Sequence, residues 1–225
     1  MNRSRSLLAP ALLVTMTALG GLSAPATADQ DVRSEAAAYP SQDARLVSIE
    51  IPIGELRVVG TAGDTVEARL RVTCDRDTRR CREDAARVHL RQRRTGATLE
   101  IEVIGLNSGR RSASSPTPHV EVRLPRHLAL RAELGVGEVD VRGVEGDVEV
   151  EVGVGEARVH VRESAVAEVS LDVGVGDAEL VPRPGGTRTS RFLFLGNEID
   201  WREGSGSAMV AVEVGVGEAN VRLQP

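Results

Sequence analysis

The sequence predicts an all-β fold: a single-stranded parallel β-solenoid, β-helix or β-roll like, with an N-terminal β extension. Three observations predict it. One phrase occurs four times, as Leu134-Gly-Val-Gly-Glu-Val139, Val152-Gly-Val-Gly-Glu-Ala157, Val173-Gly-Val-Gly-Asp-Ala178 and Val214-Gly-Val-Gly-Glu-Ala219. The copies start 18, 21 and 41 residues apart, one, one and two steps of a repeat, and a repeat of about 20 residues marks a unit that buries its apolar face on the next copy. Apolar and polar residues alternate on both sides of each copy, the period of a strand with one buried face. Aromatic residues are 2% of the chain, so the interior must be thin and aliphatic.

Residues 1–28 read as a secretory signal peptide. Arg3 and Arg5 precede the apolar stretch Leu7 to Leu22, and Ala26-Thr27-Ala28 forms an A-x-A cleavage site. The mature chain is expected to begin at Asp29 and to reside in the periplasm or outside the cell. An uncleaved anchor is the alternative. Residues 29–43 form a lead segment. Residues 44–132 form an N-terminal β-strand region, with strands expected near 65–74, 86–92, 98–104 and 119–124. Residues 133–225 carry the Gly-x-Gly-acid repeats. Cys74 and Cys81 enclose six residues, and in an oxidising compartment they are expected to pair. Neither a zinc site nor a C-x-x-C redox motif fits that spacing.

Within each repeat the buried parity flips. Val148, Val150, Val152 and Val154 are apolar before the phrase; Ala157, Val159 and Val161 are apolar after it. A change of face without loss of strand character is a corner, and glycine supplies its backbone torsions. The expected corners are Gly137, Gly155, Gly176 and Gly217. Gly54 belongs to a degenerate copy, Ile51-Pro-Ile-Gly-Glu-Leu56. Gly196 is assigned to a copy at Leu193-Phe-Leu-Gly-Asn-Glu198 that fills the missing rung. An elastin-like reading is disfavoured, because the flanks are not low-complexity.

The chain contains 28 Arg and no Lys, against 33 acidic residues. The charge is uneven: residues 70–111 hold 11 Arg and 6 acids, whereas 133–225 hold 8 Arg and 18 acids. Arg79, Arg80, Arg82, Arg93 and Arg94 are candidates for contact with an anionic envelope surface, weighed against a solvated, ion-paired face. The acidic balance and the absence of aromatics near that patch argue against nucleic acid. The corner acids Glu138, Glu156, Asp177 and Glu218 should line up, but the phrase lacks the G-G-x-G-x-D spacing of calcium-binding β-rolls. Phe192, Phe194 and Trp201 fall within ten residues. They are candidates for a partner-binding patch, weighed against local packing over the glycines. No G-x-S-x-G, H-E-x-x-H, P-loop or dinucleotide fingerprint occurs, and no cofactor is implied.

The run from His119 to His160, with Arg123-Leu-Pro125 followed by Gly-x-Gly-acid phrases, resembles the DUF4097 "putative adhesin" family. The stretch from Leu195 to Trp201 and the last repeat are similar to the related toast-rack domains. The resemblance covers roughly 45–223. It implies a β-solenoid in a bacterial envelope protein, acting in adhesion or envelope stress, and supplies no catalytic residues. The expectation is a non-enzymatic module that binds an envelope protein or glycan. A structural role, self-associating through open solenoid ends, is the alternative; a polysaccharide-acting enzyme is a third reading.

Overall fold

The computed structural model describes residues 30–76, 78–106, 115–183, 186–190 and 196–225. The expected signal peptide, Phe192 and Phe194 lie outside the described residues. The all-β expectation holds. Twelve strands form one mixed sheet: β1 (Gln30–Pro40), β2 (Leu46–Thr61), β3 (Thr65–Cys74), β4 (His89–Thr95), β5 (Thr98–Ile104), β6 (Thr117–Pro125), β7 (Ala129–Arg142), β8 (Val148–Arg162), β9 (Val166–Arg183), β10 (Gly186–Ser190), β11 (Asn197–Trp201) and β12 (Ala208–Gln224). Among the described residues one α-helix, α1 (Arg79–Ala85), interrupts them.

Five long strands carry the repeat, and they pair in parallel in the order β2-β7-β8-β12-β9. Each bends at the last glycine of its phrase, which in β2 is Gly54. Before the bend Val148, Val150 and Val152 point inward, and after it Ala157, Val159 and Val161 do; all six are at most 3% exposed. One strand therefore contributes to two walls of a shared aliphatic core. The link Gly143–Asp147 returns the chain to Val148, which pairs with Leu130 at the start of the preceding strand.

The bend rests on a column of aligned glycines, Gly54, Gly137, Gly155, Gly217 and Gly176. Gly155 has φ +143°, and a Cβ there would lie 1.8 Å from the carbonyl oxygen of Gly137. Both torsion and space exclude a side chain. The turn also carries the residue between the two glycines outward. Val154, Val216 and Val175 are 47%, 48% and 57% exposed, so the buried run stops one valine earlier than the alternation predicts.

Away from the repeats the two walls part. Before the bend, β2 continues into β5 and β4; after it, β2 continues into β6, β3 and β1. Beyond β9, β11 pairs antiparallel with Val169–Val173 and β10 with Ala178–Arg183. The parallel-solenoid expectation is corrected accordingly. The sheet is mixed, and β12 lies between β8 and β9 instead of following them. Its valines match either neighbour: Val212 sits beside Val150 and Leu171. The last rung is thus interior, and the expected open end at the C-terminus does not exist.

The Leu193–Glu198 rung is corrected too. Asn197 runs antiparallel to β9 opposite Val173, and its buried side chain donates to the Gly176 carbonyl. Gly196 has φ +59° with no atom within 4 Å of a built Cβ, so it lies outside the glycine column. The helix α1 is an element that alternation could not show. Thr78 caps it, accepting from the Cys81 N–H at 3.1 Å, and β4 starts at His89 instead of near 86. Cys74 and Cys81 are disulfide-bonded, tying α1 to the end of β3.

Two stability predictions follow from this geometry. Gly155→Ala should lower stability by about 3 kcal/mol or more, whereas Gly196→Ala should cost about 1 kcal/mol; urea unfolding midpoints check the contrast. Replacing both cysteines by serine should cost about 2.5 kcal/mol, the closure entropy of so short a loop, read from the same transitions.

Candidate functional site

In-register strands place residues in rows across the outer faces. On the second wall, the row next to the bend holds Glu55, Glu138, Glu156, Glu218 and Asp177 on successive strands. One residue pair farther along, a mixed row runs Arg69, Glu121, Arg57, Asp140 and Arg158. Beyond it, Arg142, His160 and Arg222 stand side by side. On the first wall the row before the bend is wholly acidic: Glu102, Glu50, Glu133, Glu151, Glu213, Asp172 and Glu198. Neighbouring like charges repel by about 1 kcal/mol at this spacing in water. Among the described residues no cluster of His, Cys, Asp or Glu is arranged to hold a metal ion.

The mixed row floors an open cleft of about 680 Å³. It spans six adjacent strands, from Ser34 and Ala36 on β1 to Arg158 on β8. The charges around Arg57 are turned away from it. Glu121 approaches Arg123 at 3.6 Å, and Asp140 accepts two bonds from Arg142 at 2.7 and 2.8 Å. Arg69 reaches Glu67 at 3.7 Å and Arg71 reaches Asp31 at 3.5 Å. Arg158 bridges Glu138 and Glu156, and burial by itself would lower its pKa, yet these carboxylates hold it above the usual value. Arg57 lines the cleft and makes no ion pair among the described residues, which leaves its guanidinium donors available.

A carboxylate–imidazole–hydroxyl relay borders the cleft. His119 Nδ1 lies 2.7 Å from Glu55 Oε2, and His119 Nε2 lies 3.0 Å from Thr73 Oγ1. The connectivity is that of an activated nucleophile. Thr73, however, is 1% exposed, so its hydroxyl cannot meet a molecule in the cleft, and the relay instead joins β2, β6 and β3.

The residues singled out from sequence fare differently. Trp201 is 2% exposed and belongs to the core. It is corrected from a surface ligand contact to a packing residue: β11 alternates Asn197, Ile199 and Trp201 inward against β9. Arg79 pairs with Glu83, Arg93 with Glu100, and Arg94 donates to the carbonyls of Pro40 and Gln42. These arginines, with Arg80 and Arg82 on α1, are exposed and do not line this cleft. Sequence reasoning missed Arg57. Its strand was legible, but its isolation depends on which way Glu121 and Asp140 turn.

No family model matches the chain, and no curated protein matches it. Solved structures do. A protein of Clostridium sporogenes described as a "putative cell adhesion protein" superposes with a TM-score of 0.53 at 16% identity, covering 85% of this chain and 99% of that one. A "putative adhesin" of Bacteroides fragilis aligns over 84% of this chain and 97% of its own, at 8% identity and a TM-score of 0.28. The clostridial protein shares the fold.

His160 supplies a pH prediction. Burial, then the Arg142 and Arg222 charges beside it, hold its pKa below the ordinary 6.5, outweighing Asp140. The unfolded chain therefore takes up the proton first, and stability should fall as the pH drops below about 6.5. His160→Gln should flatten that part of the profile, measured as the unfolding midpoint between pH 7.5 and pH 5.5 (about one unit either side of the free value).

Proposed function

We propose that this chain is an exported, non-enzymatic envelope protein that binds a glycan or protein partner in the cleft on the outer face of the second wall. The observation that carries this reading is the unpaired Arg57 at the centre of a cleft in which Arg69, Arg71, Glu121 and Asp140 are each ion-paired to a neighbour. Such a site offers directed hydrogen bonds to hydroxyl, carbonyl or carboxylate oxygens without a bulk charge to satisfy. The lining carries no Phe, Tyr or Trp, so recognition rests on polar contacts and shape. Export is supported by the leader-like residues 1–28 and by the disulfide, which suits an oxidising compartment. The expected mature start at Asp29 falls one residue before β1. An adhesion-like role fits the name given to the clostridial protein of the same fold.

Retention of the purified protein on envelope polysaccharide, and on whole cells, tests the reading. Arg57→Gln should weaken retention by about tenfold, the loss of one charge-assisted contact, with the unfolding midpoint unchanged because Arg57 is exposed. Equal retention of both proteins would remove the cleft from the account. Turnover of the polysaccharide would place the chain among enzymes.

A further inference from the structure

Each wall of the folded sheet ends in an edge strand on both sides, and three of these four edges resist pairing with another chain. β4 presents Arg91, Gln92, Arg93 and Arg94 along seven residues, and charge on an edge repels an incoming strand. β10 and β11 are five residues each, and short edges are poor templates. β1 has neither protection. It is eleven residues long, antiparallel to β3 on one side and unpaired on the other among the described residues. Its charges, Asp31, Arg33 and Glu35, fall in its first half, where the register slips between Asp31 and Arg33. Such a bulge twists that part of an edge away. From Ser34 to Pro40 the ladder is unbroken. Ala36-Ala37-Ala38-Tyr39 carries no charge, and Ala36 and Ala38 are exposed.

We propose that this stretch is an interface with a second copy of the chain, whose β1 adds antiparallel to the free edge of β1 about a two-fold axis at Ala37. In that register Ala36 faces the partner's Ala38, and Glu35 faces the partner's Tyr39. The strand is self-complementary there. Small residues oppose small ones, the Tyr39 hydroxyl opposes a carboxylate that can accept its hydrogen bond, and no like charges meet. The register uses the whole unbulged segment, and Pro40, which has no N–H, ends it. A two-fold contact of this kind closes on itself and leaves no edge for a third copy.

The pairing also changes the cleft. Ser34, Glu35 and Ala36 form its β1 side, so the partner's β1 extends its floor, and the two clefts flank the axis. A repetitive ligand would then meet two sites at once. This consequence rests on the cleft being the binding surface; the strand pairing does not.

Sedimentation equilibrium on the full chain reads the association directly, independently of any ligand. A dimer is expected, weakened at least about tenfold by A36K/A38K, which sets lysine opposite lysine in both facing pairs. Far-ultraviolet circular dichroism shows whether that variant keeps its strands. A second measurement needs no destabilising change: Ala37→Cys should cross-link to dimer with a short bismaleimide, whereas Glu213→Cys on the first wall should not. A monomer up to about 100 µM, or a dimer indifferent to A36K/A38K, overturns the proposal. So does equal cross-linking at both cysteines.

Discussion

Backbone stacked directly on backbone at the bend is the constraint on which the other features depend. At each step of the column, the carbonyl of one glycine occupies the volume that a Cβ on the next would need, 1.7 to 1.8 Å away between Gly54 and Gly176. The torsion is one that L side chains rarely adopt. Because every strand turns at the same place with the same torsion, the ladder passes through the corner without losing register. One strand then serves two walls. The interior need be only as thick as facing Val, Leu and Ala side chains, and a chain with 2% aromatics can fill it. The outward turn of Val154 and its equivalents follows from the same torsion.

Register then dictates the surface. In parallel, in-register repeats, equivalent residues stand beside each other, so an acid in the phrase becomes a row of acids. Arginines one row away offset part of the repulsion: Arg131 bonds Glu149 and is held above its usual pKa by it, and Arg158 ties Glu138 to Glu156. The N-terminal strands are not copies of the repeat. Where β6 and β3 meet β2, arginine falls opposite glutamate, and the like-charge row gives way to the mixed row that floors the cleft. The cleft therefore lies where repeat meets non-repeat, a boundary where charges differ from strand to strand.

Much of this was legible in the residues. Alternation located β3, β5, β6 and the five long strands, and the flip of parity located the bend. The order of stacking was not legible. A period specifies what unit repeats but not which copies touch, and valines at equivalent positions in β8, β9 and β12 make the interfaces interchangeable. Trp201 was misplaced because proximity to Phe192 and Phe194 in sequence was read as a patch, while the strand parity of Asn197, Ile199 and Trp201 turns it inward. β1 was read as a lead segment because Ala36-Ala37-Ala38 has no polar alternation; its strand state comes from pairing with β3 and not from its own pattern. The helix α1 is too short for periodicity, and its cap at Thr78 was the only local signal.

A stack of near-identical parallel strands is its own best template, since any exposed rung matches the next chain's rungs in side chain and register. The antiparallel strands at both ends answer that problem. β10 and β11 cover β9, and β5 and β6 cover β2, so none of the five repeat strands is an outer edge of its wall. They differ from the repeat in direction and sequence, and a repeat strand arriving from another copy finds no matching partner. Insertion of β12 between β8 and β9 has the same effect on the C-terminal repeat, which would otherwise present a bare valine-rich face. Association between copies is thereby moved off the repeat and onto the non-repeat strands, where a particular sequence sets the pairing instead of a period.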